Sequence, residues 1–279
     1  MNLDVVFNVF VILAGFCVGS FLNVCIYRLP KGKSAIFPRS FCPKCNTPIK
    51  WYDNIPLLSY IILKCRCRNC REKISLRYPI VELVTGVLFL GLYLQVGLSW
   101  IFAKYIFFFS ILVLVSFIDI EYHAIPAYLC VAGIVIGLAF SLPASFYLFK
   151  NGVFDLSKFP VVAALKGLLF GLGFTYLFKL FGDVFIDFYL TLRKKDSIEG
   201  ERESLGLGDV DFMGMVGVFL GMKGVVLTFF LAPFFAIIYS IFALIFKKSH
   251  LIPYLPYLSL AALVAFFWGN TILQLVLGI

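Results

Sequence analysis

Charged side chains are scarce in this sequence. Asp, Glu, Lys and Arg make up 14% of its 279 residues, 62% are hydrophobic, and mean hydropathy is +0.99. A soluble domain carries close to a quarter charged residues, so most of the chain must sit in lipid, as one membrane domain with a small extramembrane piece. Acids are rarer than bases, 15 against 24, which leaves a net charge of +9. The bases gather in loops between apolar runs, an orientation signal rather than a binding patch, so no nucleic-acid partner is expected. The first apolar run, Val5 to Ile26, lacks a basic n-region and a small-residue cleavage site and is too long for an h-region. It reads as a retained span and not as a secretory signal. The sequence shows no internal repeat and no long low-complexity segment.

Apolar runs long enough to cross a bilayer fall at about 5–27, 80–98, 101–118, 125–142, 161–182, 207–222, 224–246 and 254–276. The expected fold is an all-α polytopic membrane protein of about eight transmembrane helices with a small cytoplasmic zinc-binding loop domain. The run 207–222 is rich in glycine (Gly208, Gly214, Gly217, Gly221), which lowers helix propensity but suits close helix contacts in lipid. Between Arg28 and Tyr78 twelve basic residues stand against Asp53 and Glu72, and the positive-inside rule places this loop in the cytoplasm. Alternation then puts 183–206 and the turn Lys247-Lys248 to His250 inside and both termini outside.

Four of the eight cysteines form two knuckles, Cys42-Pro-Lys-Cys45 and Cys67-Arg-Asn-Cys70, with 21 residues between them. That spacing matches a tetrahedral four-cysteine zinc site, structural because four thiolates leave no position for water. Lys44, Arg66 and Arg68 would favour thiolates. The alternatives are a disulfide pair, disfavoured in a reducing cytoplasm, or a redox C-x-x-C. Cys65 could compete as a ligand, while Cys17, Cys25 and Cys130 read as small apolar core residues.

Ionisable residues in or beside spans are costly and point to function. Asp119 and Glu121 end the third span, Asp209 and Asp211 begin the sixth after Gly206-Leu-Gly208, and Glu82 begins the second. The third span runs inward and the sixth outward, so Asp119 and Asp209 share one depth on the cytoplasmic side. A carboxylate pair there would share a proton: the ionised member activates water, and the protonated one polarises a peptide carbonyl. Gly206 and Gly208 permit a tight turn or close substrate approach. Alternatively the acids solvate helix ends, the reading kept for Glu121 and Asp211. His123 reads as a surface residue, and Glu82 pairs with Arg77 or Arg28 or faces a substrate amine.

Several segments together resemble the type IV prepilin peptidases, bifunctional leader peptidase/N-methyltransferases and membrane aspartyl proteases of the Gly-x-Gly-Asp type. They are Gly19-Ser-Phe-Leu-Asn-Val-Cys-Ile-Tyr-Arg-Leu-Pro30, the two knuckles, Trp51-Tyr-Asp-Asn-Ile-Pro56, Arg77-Tyr-Pro-Ile-Val-Glu82, the Asp119 segment, Gly206-Leu-Gly208-Asp209 and Ile252-Pro-Tyr-Leu-Pro256. The resemblance covers Gly19 to about Gly269. It implies cleavage of a basic leader from prepilins or type II secretion pseudopilins, then methylation of the new N-terminus with S-adenosylmethionine. It further implies Asp119 and Asp209 as the catalytic pair and Cys42, Cys45, Cys67 and Cys70 as zinc ligands. On this reading residues 1–27 are the first transmembrane helix, 28–79 a cytoplasmic methyltransferase-associated zinc domain and 80–279 the peptidase domain. The expected setting is the bacterial inner membrane, among lipid, with the catalytic site facing the cytoplasm. The chain departs from the family pattern at Asp211 (usually Lys), Ala127 (usually an acid), Leu255 (usually Gly) and Cys65 (commonly Gly). A peptidase without methylation and a non-catalytic scaffold or transporter are the alternatives; a transporter would place its acids nearer the midplane.

Overall fold

The computed structural model describes residues 3–124, 127–193, 204–245 and 253–278. Ile125 and Pro126 of the Asp119 segment, 194–203 of the sixth-span approach, the Lys247-Lys248-His250 turn and Ile252 lie outside the described residues. The regular structure of the described residues is helical, apart from two isolated β-bridges. Its long helices are α1 (Leu3–Arg28), α3 (Arg77–Val96), α4 (Trp100–Tyr122), α5 (Ala127–Lys150), α6 (Pro160–Arg193), α7 (Leu207–Ile245) and α8 (Leu255–Leu277), with the short α2 (Leu58–Ile62) inside the cysteine loop. Seven of them are long and apolar enough to cross a membrane.

The stretch read as the sixth and seventh spans, 207–222 and 224–246, is two helices that meet at Gly221, whose φ of +69° and ψ of −174° are not helical; the two are labelled together as α7. The break falls where the two expected runs divide, so that division stands. One correction concerns α6. It continues eleven residues past the expected end at 182, to Arg193. At 1.5 Å per residue it is about 51 Å long, against a hydrocarbon core of about 30 Å. Its last turns carry Asp183, Asp187 and Arg193, which suits a helix leaving the lipid.

Two compact units divide the chain, Met1–Ala124 and Ile125–Ile279. In the first, α1, α3 and α4 pack pairwise; in the second, α7 packs against α5, α6 and α8. The outer faces are apolar and uncovered, as at Phe10 (67% exposed), Leu169 (69%) and Phe181 (73%). Lipid satisfies such surfaces, whereas water would not. Several buried hydroxyls return their protons to the preceding turn: Thr85 to the Val81 carbonyl at 2.7 Å, Ser116 to Leu112 at 2.6 Å and Ser141 to Gly137 at 3.0 Å. Such bonds satisfy a donor within its own helix, as hydrocarbon favours; the buried hydroxyls of Thr175 and Thr228 have no such partner among the described residues.

Apolar attraction between helices is weak in lipid, so association depends on close backbone approach. At the α6–α7 contact a Cβ on Gly167 would lie 2.0 Å from the Gly217 carbonyl oxygen. Backbone cannot swing aside as a side chain can, so Gly167→Val must part the helices. Overpacking costs about 1–3 kcal/mol, and the upper end is expected here. Thermal unfolding in detergent should show a clear loss for Gly167→Val and little for Gly173→Val, where an added Cβ meets nothing within 4 Å.

Candidate functional site

The cysteine module is built from two copies of one turn. In the first, the Cys42 N–H donates to the Thr47 carbonyl (3.0 Å), Asn46 N–H to Cys42 (2.8 Å) and Ile49 N–H to Ser40 (2.9 Å). Twenty-five residues later, Cys67 donates to Glu72 (2.8 Å), Arg71 to Cys67 (3.1 Å) and Ile74 to Cys65 (2.8 Å). The bridges Phe41–Pro48 and Arg66–Lys73, and the positive φ of Asn46 and Arg71, obey the same offset. The sequence shows this repeat only in its cysteines and in Ile49 and Ile74, because its bonds are backbone bonds indifferent to side-chain identity.

The two turns bring Cys42, Cys45, Cys67 and Cys70 together, with all four sulfurs within 4.8 Å of one another. Zinc–sulfur bonds of about 2.3 Å give a tetrahedral edge of about 3.8 Å, and Cys42 and Cys70 lie 3.9 Å apart. The donor set therefore fits zinc. The basic neighbours are not what favours the thiolates. The Thr47 hydroxyl, 3.4 Å from Cys45 Sγ, holds that thiol down to about 6. Thr47 in turn accepts from Asn69 Nδ2 at 2.9 Å, which ties one knuckle to the other. Cys67 is lowered by the N–H groups of Cys70 and Asn69. For Cys70 the Glu72 N–H acts downward, but burial and the crowding sulfurs push the thiol up to about 11. A divalent cation is what such a cluster needs. Arg68 instead forms a two-pronged ion pair with Asp53, at 2.6 and 2.7 Å.

Cys65 is exposed and outside the cluster. Its φ is +61°, which accounts for the glycine common in the family at this place. Of the other three, Cys25 and Cys130 are buried as expected, while Cys17 is exposed on α1.

Three sequence segments converge beside this module. Gly19 packs so closely on α3 that an added Cβ would sit 2.7 Å from Glu82 Cα. One turn on, the Asn23 side-chain amide donates to the Tyr78 carbonyl at 3.0 Å. Glu82 accepts from the Leu57 N–H at 2.8 Å, and Leu57 has φ +59° and ψ −48°. The expected pairing of Glu82 with Arg77 or Arg28 is not found: Arg77 pairs with Glu121, and Arg28 donates to the Ser34 and Arg39 carbonyls, each at 3.2 Å. The Arg77 pairing takes Glu121 out of the role of a merely solvated helix end. The convergence encloses a cavity of about 970 Å³ in the first unit.

Asp119 and Asp209 are each only 6% exposed, which a solvated helix end would not be. Asp119 sits in the last turn of α4 in the first unit; α4 stops at the left-handed His123, whose N–H donates to the Asp119 carbonyl at 2.9 Å. His123 is exposed, as expected. Asp209 opens α7 in the second unit, accepting from the Gly206 N–H at 3.1 Å while its own N–H donates to the Gly206 carbonyl at 3.1 Å. This is the reciprocal bonding of a helix start. An added Cβ at Gly206 would meet nothing closer than the Asp209 carboxylate at 3.5 Å, so the glycine leaves the approach to that carboxylate open. Asp211 is half-buried.

The sequence reading missed a latch on this turn. Lys179, 6% exposed, donates to the Leu205 carbonyl at 2.8 Å and pairs with Asp183 at 3.0 Å. Asp183 accepts from both the N–H and the hydroxyl of Ser204, at 2.7 and 2.8 Å, and these bonds hold it below the usual carboxylate range. A lysine and an aspartate four apart near an apolar run were the available signal; ending the span at 182 hid it.

The left-handed backbone at Cys65 yields a test. That conformation costs a residue with a Cβ about 1–2 kcal/mol, partly offset by the greater freedom of glycine when unfolded. Cys65→Gly should therefore stabilise the loop by about 0.5–1 kcal/mol, read as slower hydrogen exchange at residues 40–75, and β-branched Cys65→Val should speed that exchange.

Two family models match the chain, the bacterial peptidase A24 N-terminal domain over residues 13–96 and the type IV leader peptidase family over residues 106–241. The prepilin leader peptidase/N-methyltransferase of Myxococcus xanthus is 36% identical over 217 residues, 77% of this chain but 56% of that protein. The protein of the same name from Aeromonas salmonicida is 30% identical over 290 residues, covering 94% of this chain and 91% of the relative. That from Klebsiella pneumoniae is 33% identical over 231 residues, 80% and 89% respectively. No solved structure matches the chain. With seven apolar helices, the four-cysteine cluster and similarity over nearly its whole length to relatives of this kind, the chain is a multi-pass membrane protein and belongs to the type IV leader peptidase family.

Proposed function

We propose that this protein cleaves the leader peptide from prepilins or pseudopilins at the cytoplasmic face of a bacterial inner membrane, with Asp119 and Asp209 as its acid–base pair, and then methylates the exposed N-terminal amine. The observation that carries the reading is the burial of these two acids, one at the end of α4 and one at the start of α7, in a chain of the leader peptidase family. The break in α7 at Gly221 falls between the expected sixth and seventh spans and after Asp209, so the alternation argument is unchanged.

In the proposed cleavage one carboxylate takes a proton from water, whose oxygen attacks the scissile carbonyl carbon. The protonated partner gives its proton to the carbonyl oxygen. Collapse of the tetrahedral species breaks the carbon–nitrogen bond, and the amine leaves with a proton from the pair. The Lys179–Asp183–Ser204 latch fixes the turn that carries Asp209. In the second reaction S-adenosylmethionine supplies a methyl group: the amine's lone pair forms the carbon–nitrogen bond, the carbon–sulfur pair stays on sulfur and the amine's proton passes to solvent. Cys42, Cys45, Cys67 and Cys70 would hold zinc as a structural ion.

Asp119→Asn and Asp209→Asn should each reduce cleavage on the order of a thousandfold, since an amide cannot exchange the proton. The double variant should be little worse than either single one, because the two act as a unit. A gel-shift assay with a prepilin in membranes measures both; near-normal processing by either single variant rules that residue out.

For the metal, purified protein should contain one zinc per chain, and Cys67→Ser should lose it together with protease resistance across residues 29–76, because metal binding and folding are coupled. Elemental analysis that finds no zinc would remove the metal from this account.

Orientation has its own measurement. A reporter joined after Lys50 should read cytoplasmic and one joined near Asp155 external. Identical readings at the two places would refute the alternation that puts both aspartates on one side.

A further inference from the structure

We propose that the cavity of the first unit is the methyl-donor site, taking S-adenosylmethionine with Glu82 receiving the donor's amino group. The inference rests on the methyl-transfer reading above and assigns that reaction a place in the chain. At about 970 Å³, the cavity stands at the top of the range that holds ligands of cofactor size, roughly 300–1,000 Å³. A methyl donor fits with room for the end of a peptide beside it.

The polar groups of the wall define the ligand's chemistry. Asn23 is 1% exposed. Its amide donates to the carbonyls of Tyr78 and Gly19, which ties α1 to α3 in the cavity wall, while its Oδ1 is sealed within the protein. Glu82 lines the same cavity at 7% exposure. It has the Leu57 N–H and the Ser20 hydroxyl as donors and no ion pair with any basic side chain among the described residues. A buried carboxylate without a cation is costly, and its two oxygens offer about four acceptor positions. A buried carboxylate with acceptor positions to spare selects a ligand with a cationic N–H donor, which the amino group of S-adenosylmethionine is.

Two further features agree. Leu57 holds a backbone conformation outside the left-handed well, a strain of about 1–3 kcal/mol for a residue with a Cβ, and the Glu82 carboxylate holds it there. Strain kept in a cavity wall by the group offered to the ligand marks a preorganised site. Tyr27, Tyr60 and Tyr78 also line the cavity, and aromatic walls suit a planar base.

The test uses the full chain in detergent and S-adenosylhomocysteine as probe. Isothermal titration should show binding to the wild type and at least tenfold weaker binding to Glu82→Gln. Glutamine keeps an oxygen for the Leu57 N–H but loses the charge. Ultraviolet cross-linking of radiolabelled S-adenosylmethionine to the wild-type protein needs no variant. The label should appear in peptides from residues 19–28, 50–63 or 77–85. Unchanged affinity in Glu82→Gln, or label confined to residues 127–278, overturns the proposal. Leader cleavage is scored on the same wild-type preparation. Protein that cleaves but does not bind the probe refutes the cavity assignment and leaves the peptidase reading standing; protein that binds but does not cleave does the reverse.

Discussion

Carrying a carboxylate toward hydrocarbon costs about 2.5–3.5 kcal/mol on insertion scales at a helix centre, and Glu82, Asp119 and Asp209 are all buried near helix ends. Much of the local architecture near the membrane edge makes this tolerable. Glu82 is met by the Leu57 N–H, which pulls the cysteine loop onto α3. Asp209 is met by the Gly206 N–H at the opening of α7, and the turn that presents it is tied to α6 through Lys179 and Asp183. Asp119 comes one turn before a left-handed cap that stops α4. At Glu82 and Asp209 a backbone N–H has been fitted to the carboxylate, a fitting without purpose in a span that only anchors.

The cysteine loop meets a different constraint. Between residues 29 and 76, Cys42 is the one hydrophobic side chain counted as buried among the described residues. A segment of this size without a core does not hold a fold by apolar burial. The two knuckles solve this with backbone bonds repeated at a 25-residue offset and with four sulfurs close enough for one metal. Asp53–Arg68, Asn69–Thr47 and the Arg28 bonds to Ser34 and Arg39 then tie the module together and to the end of α1.

What the sequence revealed follows from which interactions are periodic or compositional. Hydrophobic run length found each long helix of the structure, because lipid enforces it over some twenty residues. Cysteine spacing found the cluster. Run length measures lipid contact and not helix length, so it ended α6 at 182, where the polar turns begin; its division of 207–246 beside Gly221 matches the break in the backbone there. Glu82 was assigned an arginine because charge pairing is legible in sequence; its actual donor, a backbone N–H 25 residues away, is not. Likewise Cys65 looked like a rival ligand, whereas its peculiarity is a dihedral angle that no side-chain pattern displays.

The two proposed chemistries impose an order on one another. The amine to be methylated does not exist until the peptide bond is cut, so methyl transfer has no substrate before cleavage. A free N-terminal amine has a pKa near 7.7–8.0 and is largely a cation at neutral pH. Acceptors that hold a cationic donor group tolerate that charge, but a nitrogen that is to attack carbon must first shed its proton. Glu82 therefore serves best by binding the donor's amino group, which stays protonated throughout, leaving the pilin amine to lose its proton elsewhere in the cavity. This division explains why one buried carboxylate with no basic partner is enough for the methyl-transfer unit, whereas peptide hydrolysis, which moves protons in both directions, needs two.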